Sequence, residues 1–256
     1  MGWSFLIDSN AYLEKKAFYD KVLTIYGRNT VIEALEDETI LIYKLHLSKS
    51  NKDAGILENM KSIALKRGIE IKYHDKQTLS RISKNAKQDQ GVALDIVLKY
   101  FSDARDFMLK NINYRIIALD GVTNPQNLGM IIRSCAAGKV DAVLLPTKGA
   151  AQISPLVIKA SAGTLFKMPI IKTSDLKETL IDFKKNGADI YTLSSHAPSD
   201  FKEQNYNNKT IFVLGNESEG VSKGVESLCN KSIAIPMERG VESLNVAVTA
   251  ALLAFL

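Results

Sequence analysis

Proline is missing from the first 124 residues of this sequence: the six prolines stand at 125, 146, 155, 169, 198 and 236. Such a shift in composition marks two parts with different loop chemistry. Cysteine and histidine are also scarce. Cys135, Cys229, His46, His74 and His196 are too few and too scattered for a zinc cluster or a disulfide framework, so no metal is expected. No apolar run reaches the roughly 20 residues of a membrane span. The opening "MGWSFLIDSNAYLEKK" has no basic region leading into a long apolar one. A cytoplasmic protein without membrane association is the expectation. Nowhere are two glycines separated by a single residue, which excludes the glycine-rich turn of a dinucleotide site.

What is present is an ordinary soluble balance of 46% apolar and 24% charged residues over 256 positions, enough for one large or two modest domains. The formal charge of +5 permits a polyanionic partner without requiring one. Residues 61 to 87 are the most basic stretch, with eight Lys and Arg against Glu70 and Asp75. Clustered cations suit an RNA backbone and equally suit a solvated helix face.

The first part alternates helical and extended patterns: a helix through "TVIEALED", a strand in "TILIYKLHL", a helix "DAGILENMKSIALKRG" closed by Gly68, and a strand "IEIKYH". Residues 99–113 read as a connector between a smaller α/β domain, 22–98, and a second domain, 114–256. In the latter, "RIIALDG", "AVLLP", "MPIIKT", "DIYTLSS", "TIFVLG" and "SIAIPM" are short apolar runs separated by helical segments. That pattern predicts a parallel sheet covered on both faces, with any ligand at the carboxyl ends of its strands.

Three of those strands run into polar loops. In "LDGVTNPQNLGMIIRS", Asn124-Pro125 starts a turn that becomes a helix carrying Arg133. Its neighbours three and four residues away are Gly129, Met130, Ala136 and Ala137, so its partner must be a distant part of the fold or a bound anion. The loop "VLGNESEGVSKG" has two glycines at phosphate-loop spacing, but Val221-Ser222 stands where Lys and Ser or Thr belong. Glu219 reads as a solvated carboxylate and Glu217 as the acid near Arg133. In "IPMERGVESLNVAV", Ser243 or Asn245 is placed to cap "VAVTAALLAFL", a helix apolar on nearly every side and too short to cross a bilayer. It belongs in the core or in a subunit interface, and the interface option predicts a homodimer.

These loops, in this order, resemble the three motifs of the SpoU (TrmH) family of RNA ribose 2'-O-methyltransferases, in the SPOUT superfamily. The residues that match are Asn127, Gly129 and Arg133; Gly215-Asn216-Glu217 with Gly220; and Ile235-Pro236-Met237 with Ser243-Leu244-Asn245. The first part is similar, more loosely, to the domain of the ribosomal-RNA guanosine members that resembles ribosomal protein L30e. "IYGRNTVIEALE" matches its opening and "DQGVAL" its closing strand, with Asp89 where relatives often have histidine.

The resemblance implies a parallel-sheet SPOUT domain with a trefoil knot, preceded by a smaller L30e-like RNA-binding domain, in a homodimer. It implies S-adenosylmethionine as cofactor, held by Gly215, Ile235 and Leu244. Catalytic roles fall to Arg133, Asn127, Glu217, Ser243 and Asn245, with Arg133 as the activating group. The substrate it implies is a guanosine of large-subunit ribosomal RNA. A transfer-RNA guanosine, a ribosomal-RNA adenosine, and a non-catalytic ribosome-assembly role stay open.

Overall fold

The computed structural model describes residues 15, 18–19, 21–51, 55–84, 88–98, 101–195, 197–216 and 218–256. The chain divides into two compact units, Met1–Lys99 and Tyr100–Leu256.

The first unit carries strands β1 (Val22–Tyr26), β2 (Leu41–Ser48), β3 (Glu70–His74) and β4 (Val92–Val97) and helices α1 (Arg28–Glu36), α2 (Ile56–Lys66) and α3 (Lys76–Ser83). The sheet order is β1-β4-β2-β3, antiparallel except between β2 and β3. The stretches "TVIEALED", "TILIYKLHL", "DAGILENMKSIALKRG" and "IEIKYH" appear as α1, β2, α2 and β3. Helix α3 lies within the basic stretch; Asp75 caps it by accepting the Thr78 N–H at 2.7 Å.

Among the cations of that stretch, Arg67 is structural. Its guanidinium donates to the Leu35 and Ile40 carbonyl oxygens at 2.7 Å each and to that of Asp37 at 3.1 Å, satisfying acceptors at the end of α1. Lys72 pairs with Glu70 at 3.5 Å, and Lys61 lies 5.5 Å from the centre of the Tyr73 ring. Lys66, Lys76, Arg81 and Lys84 are exposed.

The second unit is a seven-stranded sheet, parallel throughout. Its strands are β5 (Phe101–Ser102), β6 (Tyr114–Leu119), β7 (Ala142–Pro146), β8 (Ile170–Thr173), β9 (Asp189–Leu193), β10 (Lys209–Leu214) and β11 (Lys231–Ile233). They are ordered β11-β9-β10-β6-β7-β8-β5. All of β7, and β10 except its first residue, is buried, as a sheet covered on both faces requires. The stretch expected as a connector contributes β5 and helix α4 (Ala104–Lys110), which begins at the Asp103 cap. On one face, Phe107 of α4 and Leu180 and Phe183 of α7 (Leu176–Lys185) pack on Tyr114, Ile116, Ala118 and Leu144.

Helix α5 (Pro125–Ala137) packs against both α6 (Pro155–Ala160) and α9 (Val246–Ala254), which follows the short α8 (Lys223–Glu226). Pro125 supplies the first helical residue, and Asn124 accepts the Gln126 N–H at 2.8 Å. Gly129 lies where α5 meets α6: a methyl group there would stand 2.5 Å from Ala160 Cβ and 2.7 Å from the Val157 carbonyl oxygen. The motif glycine is therefore a packing device. Helix α9 divides its apolar surface. Val246, Ala247, Ala250, Leu253 and Ala254 are buried, whereas Val248 is 48% exposed, Leu252 is 39% exposed and Phe255, just beyond the helix, is 62% exposed.

Candidate functional site

A cavity of about 380 Å³ opens at the carboxyl ends of β9 and β10. Three segments build it: Thr192–Ser195 at the end of β9 and just beyond, residues 213–216 and 219–221 around the β10 loop, and side chains between Ile235 and Thr249 leading into and along α9. Gly215, Ser243, Ile235 and Leu244 all line it, so the second and third motifs meet here.

The loop after β10 closes on itself. Asn216 N–H donates to the Gly220 carbonyl oxygen at 2.9 Å, and Gly220 N–H returns to that of Asn216 at 2.8 Å. A Cβ on Gly215 would overlap the backbone of Gly220 and Val221, so only glycine permits this closure. Asn216 Nδ2 donates to the Gly121 carbonyl oxygen at 3.0 Å, and Ser222 N–H to Asp120 Oδ2 at 2.7 Å, fastening the loop to the end of β6.

The first motif joins through Asn127. Its Oδ1 accepts from Asn245 Nδ2 at 3.3 Å, while Asn245 Oδ1 accepts the Ala247 N–H at 2.9 Å and caps α9. Asn245 therefore both caps the helix and connects two motifs. Arg133 stands apart: it is exposed on α5 and is not part of the cavity lining. Among the described residues it has no carboxylate within salt-bridge distance. Glu217, the acid expected beside it, lies outside the described residues, as does His196.

Motif reasoning missed Thr192, Leu193, Ser194 and Ser195, which form one wall of the cavity. Their signal was positional, since Thr192 and Leu193 end a strand of a parallel sheet and Ser194 and Ser195 follow it, at its carboxyl end. They carry no distinctive residue pattern. Glu226 and Glu242 also line the cavity, with no Lys or Arg among its lining residues.

Its apolar wall of Leu214, Ile235, Leu244 and Val246 suits a flat heterocycle. Thr192 adds a hydroxyl, and the three glutamates, Glu219, Glu226 and Glu242, favour a ligand with positive charge. Burial pushes the Cys135 thiol up to about 12, so it offers no thiolate at neutral pH. Among the described residues no group of three His, Cys, Asp or Glu is arranged to hold a metal ion, and no helix is long and apolar enough to cross a membrane.

Fold and cavity together define a parallel-sheet α/β protein with a small-ligand site made from loops at one edge. Residues 114–255 match the SpoU rRNA Methylase family, and residues 24–100 match RNA 2'-O ribose methyltransferase substrate binding. The chain belongs to the SpoU rRNA Methylase family.

It is 29% identical over 237 residues to the 23S rRNA (guanosine-2'-O-)-methyltransferase RlmB of Xylella fastidiosa (strain 9a5c), covering 90% of this chain and 94% of that one. The fold resembles the SpoU methyltransferase AviRb from Streptomyces viridochromogenes in complex with AdoMet, with TM-score 0.67, 20% identity and coverage of 94% and 90%. An AdoMet-bound rRNA methyltransferase from Sinorhizobium meliloti matches with TM-score 0.64, 21% identity and coverage of 94% and 88%.

Proposed function

We propose that the protein transfers a methyl group from S-adenosylmethionine to a ribose 2'-hydroxyl in RNA, with a guanosine of large-subunit ribosomal RNA as the substrate. The observation that carries this reading is the convergence of Gly215, Ile235, Ser243 and Leu244, distant in sequence, on one cavity of suitable size. The named activity of the Xylella relative supports the choice of guanosine. In this reading residues 22–98 hold the RNA, residues 114–256 carry out the transfer, and the protein works in the cytoplasm.

Bound in the cavity, S-adenosylmethionine supplies an electrophilic methyl group. The apolar wall would receive its adenine, and Thr192 with the backbone groups of the motif loops would orient its polar parts. The guanidinium of Arg133 acts through charge and hydrogen bonding, presenting five N–H donors in a planar fork and no acceptor. It would grip the phosphate beside the target ribose and stabilise the negative charge growing on the 2'-oxygen, which takes the methyl group as its proton passes to solvent water and the cofactor departs as the neutral thioether S-adenosylhomocysteine. Asn127, Ser243 and Asn245 position the reacting groups.

A homodimer belongs to this reading. Val248, Leu252 and Phe255 expose an apolar face beside Phe201 and Lys202, and a second copy covers it. A trefoil knot belongs to it too, on the resemblance to the SPOUT superfamily alone.

Incubation with labelled S-adenosylmethionine and total RNA, followed by location of the labelled ribose, tests the activity. Arg133→Ala is expected to abolish transfer while leaving cofactor affinity, read by calorimetry, nearly unchanged. Absence of cofactor binding at millimolar concentration overturns the reading in favour of a non-catalytic RNA-binding protein.

A further inference from the structure

The first unit contains its own cavity, of about 660 Å³, separate from the methyl-donor site. It lies between the start of α1, the end of β2, the start of α3 and the turn Asp89–Gly91. We propose that it takes one unstacked nucleotide of the RNA, reading the base with Asn29, Asn51 and Gln90 and holding the phosphate with Arg28 and Lys76. This rests on the reading of the protein as an RNA methyltransferase and specifies how part of the substrate is recognised.

The turn is built in advance. Asp89 is 5% exposed, and both its oxygens are used internally: Oδ1 accepts the Gly91 N–H and Oδ2 the Ser83 hydroxyl, each at 3.0 Å. Its carboxylate is thus turned to structure and does not stand free against a phosphate. Asn51 Nδ2 donates to the Gly91 carbonyl oxygen at 2.8 Å, and any side chain at Gly91 would strike Asn51.

Gln90 has φ 53, a left-handed conformation that glycine adopts without strain. Glutamine contributes a side chain instead: its Oε1 accepts the Arg28 N–H at 3.0 Å. Its carbonyl oxygen accepts from Arg28 Nε at 3.3 Å. These bonds pin Arg28 by Nε and leave its two terminal nitrogens to the cavity.

The lining chemistry selects the ligand. Amides of Asn and Gln present donors and acceptors together, as base edges do. Among the described residues no aromatic ring lines the cavity, and the guanidinium plane of Arg28 and the apolar Ile56 are the surfaces there to flank a base. A base paired inside a helix cannot present its edge to such a recess, which favours a single-stranded segment. Arg81 and Lys84, exposed along and just after α3, extend the positive charge beyond the recess. A free nucleotide would leave those two unused; a continuous backbone would meet them.

The test uses the full chain and a mixed-sequence RNA 9-mer, single-stranded or annealed to its complement, with binding read by fluorescence anisotropy. The single strand is expected to bind at least about tenfold more tightly than the duplex. Gln90→Gly suits the observed φ and removes only the side chain; it is expected to weaken single-strand binding about tenfold and leave duplex binding unchanged. Lys76→Ala should weaken single-strand binding and lower the salt slope by about one.

Equal binding of both RNAs, or wild-type affinity in Gln90→Gly, overturns the proposal. Displacement of the 9-mer by micromolar adenosine or guanosine monophosphate overturns the RNA assignment in favour of a free-nucleotide site. Calorimetry with S-adenosylmethionine on the same samples separates the two readings, since its failure counts against methyl transfer alone.

Discussion

Asn245 Nδ2 donates to Asn127 Oδ1 across 118 positions of sequence, at 3.3 Å. The same side chain caps α9, so one residue ties the start of the last helix to the start of α5. Asn245→Asp separates the roles, since it keeps the capping oxygen and loses the donor. It is expected to retain stability to within about 0.5 kcal/mol and to weaken cofactor binding, whereas Asn245→Ala also loses about 1 kcal/mol of capping. Thermal unfolding and calorimetry on both variants check this; equal loss of stability in the two would show that the cap plays no separate part.

Gly129→Ala forces a methyl group against α6. The obstacles include the Val157 carbonyl oxygen, which cannot rotate away as a side-chain tip can. A loss of about 1–3 kcal/mol is expected in denaturant unfolding, from overpacking rather than from any lost contact with a ligand. A variant as stable as the parent would mean that the two helices separate at little cost.

Tyr114 is 3% exposed, and among the described residues its hydroxyl has no hydrogen-bond partner. The ring packs edge-on to Phe107 at 5.7 Å and to Phe183 at 5.6 Å between centroids. Burial pushes its phenol up to about 12. Tyr114→Phe keeps the packing and removes the unsatisfied oxygen, so a gain of about 1 kcal/mol is expected. A fall in the unfolding midpoint would show that the hydroxyl has a partner.

In the first unit, His46 bridges Asp95 and His74. Its Nε2 lies 3.0 Å from Asp95 Oδ2, and its Nδ1 lies 3.0 Å from His74 Nε2. Burial, and then the charge of His46, lower the His74 pKa below its ordinary 6.5. The unfolded chain therefore takes up this proton at a higher pH than the folded one does. Stability is full above 6.5 and falls as pH drops below it, toward the lowered folded value. Unfolding measured from pH 7.5 to about 5 should show a steeper decline in the parent than in His74→Asn. Identical slopes would count against this assignment.

Legibility in the sequence followed the kind of signal. The strands β6 to β11 could be read because each is a short apolar run bounded by helices or polar loops, and Gly215 to Gly220 and Ser243 to Asn245 because their residue types recur as motifs. Strand β5, only two residues long, gave no periodic signal, and α4 was submerged in a polar stretch. The basic stretch misled in part, because the use of Arg67 on three backbone carbonyls is invisible until α1 and α2 are packed together. The wall from Thr192 to Ser195 was equally unreadable, being defined by what faces it across the cavity. Arg133 was recognisable as an arginine without a local partner, but its place outside the cavity lining depends on helix packing.

The backbone N–H of Lys139 donates to the carbonyl oxygen of Ala254 at 2.7 Å, so the far end of α9 is clasped to the turn that follows α5. During synthesis on a ribosome, strands β6 to β10 leave the exit tunnel before the segment that completes their ligand site. A growing chain halted before residue 246 would hold most of its sheet and none of its final clasp, which sets the order of maturation: scaffold first, donor pocket last.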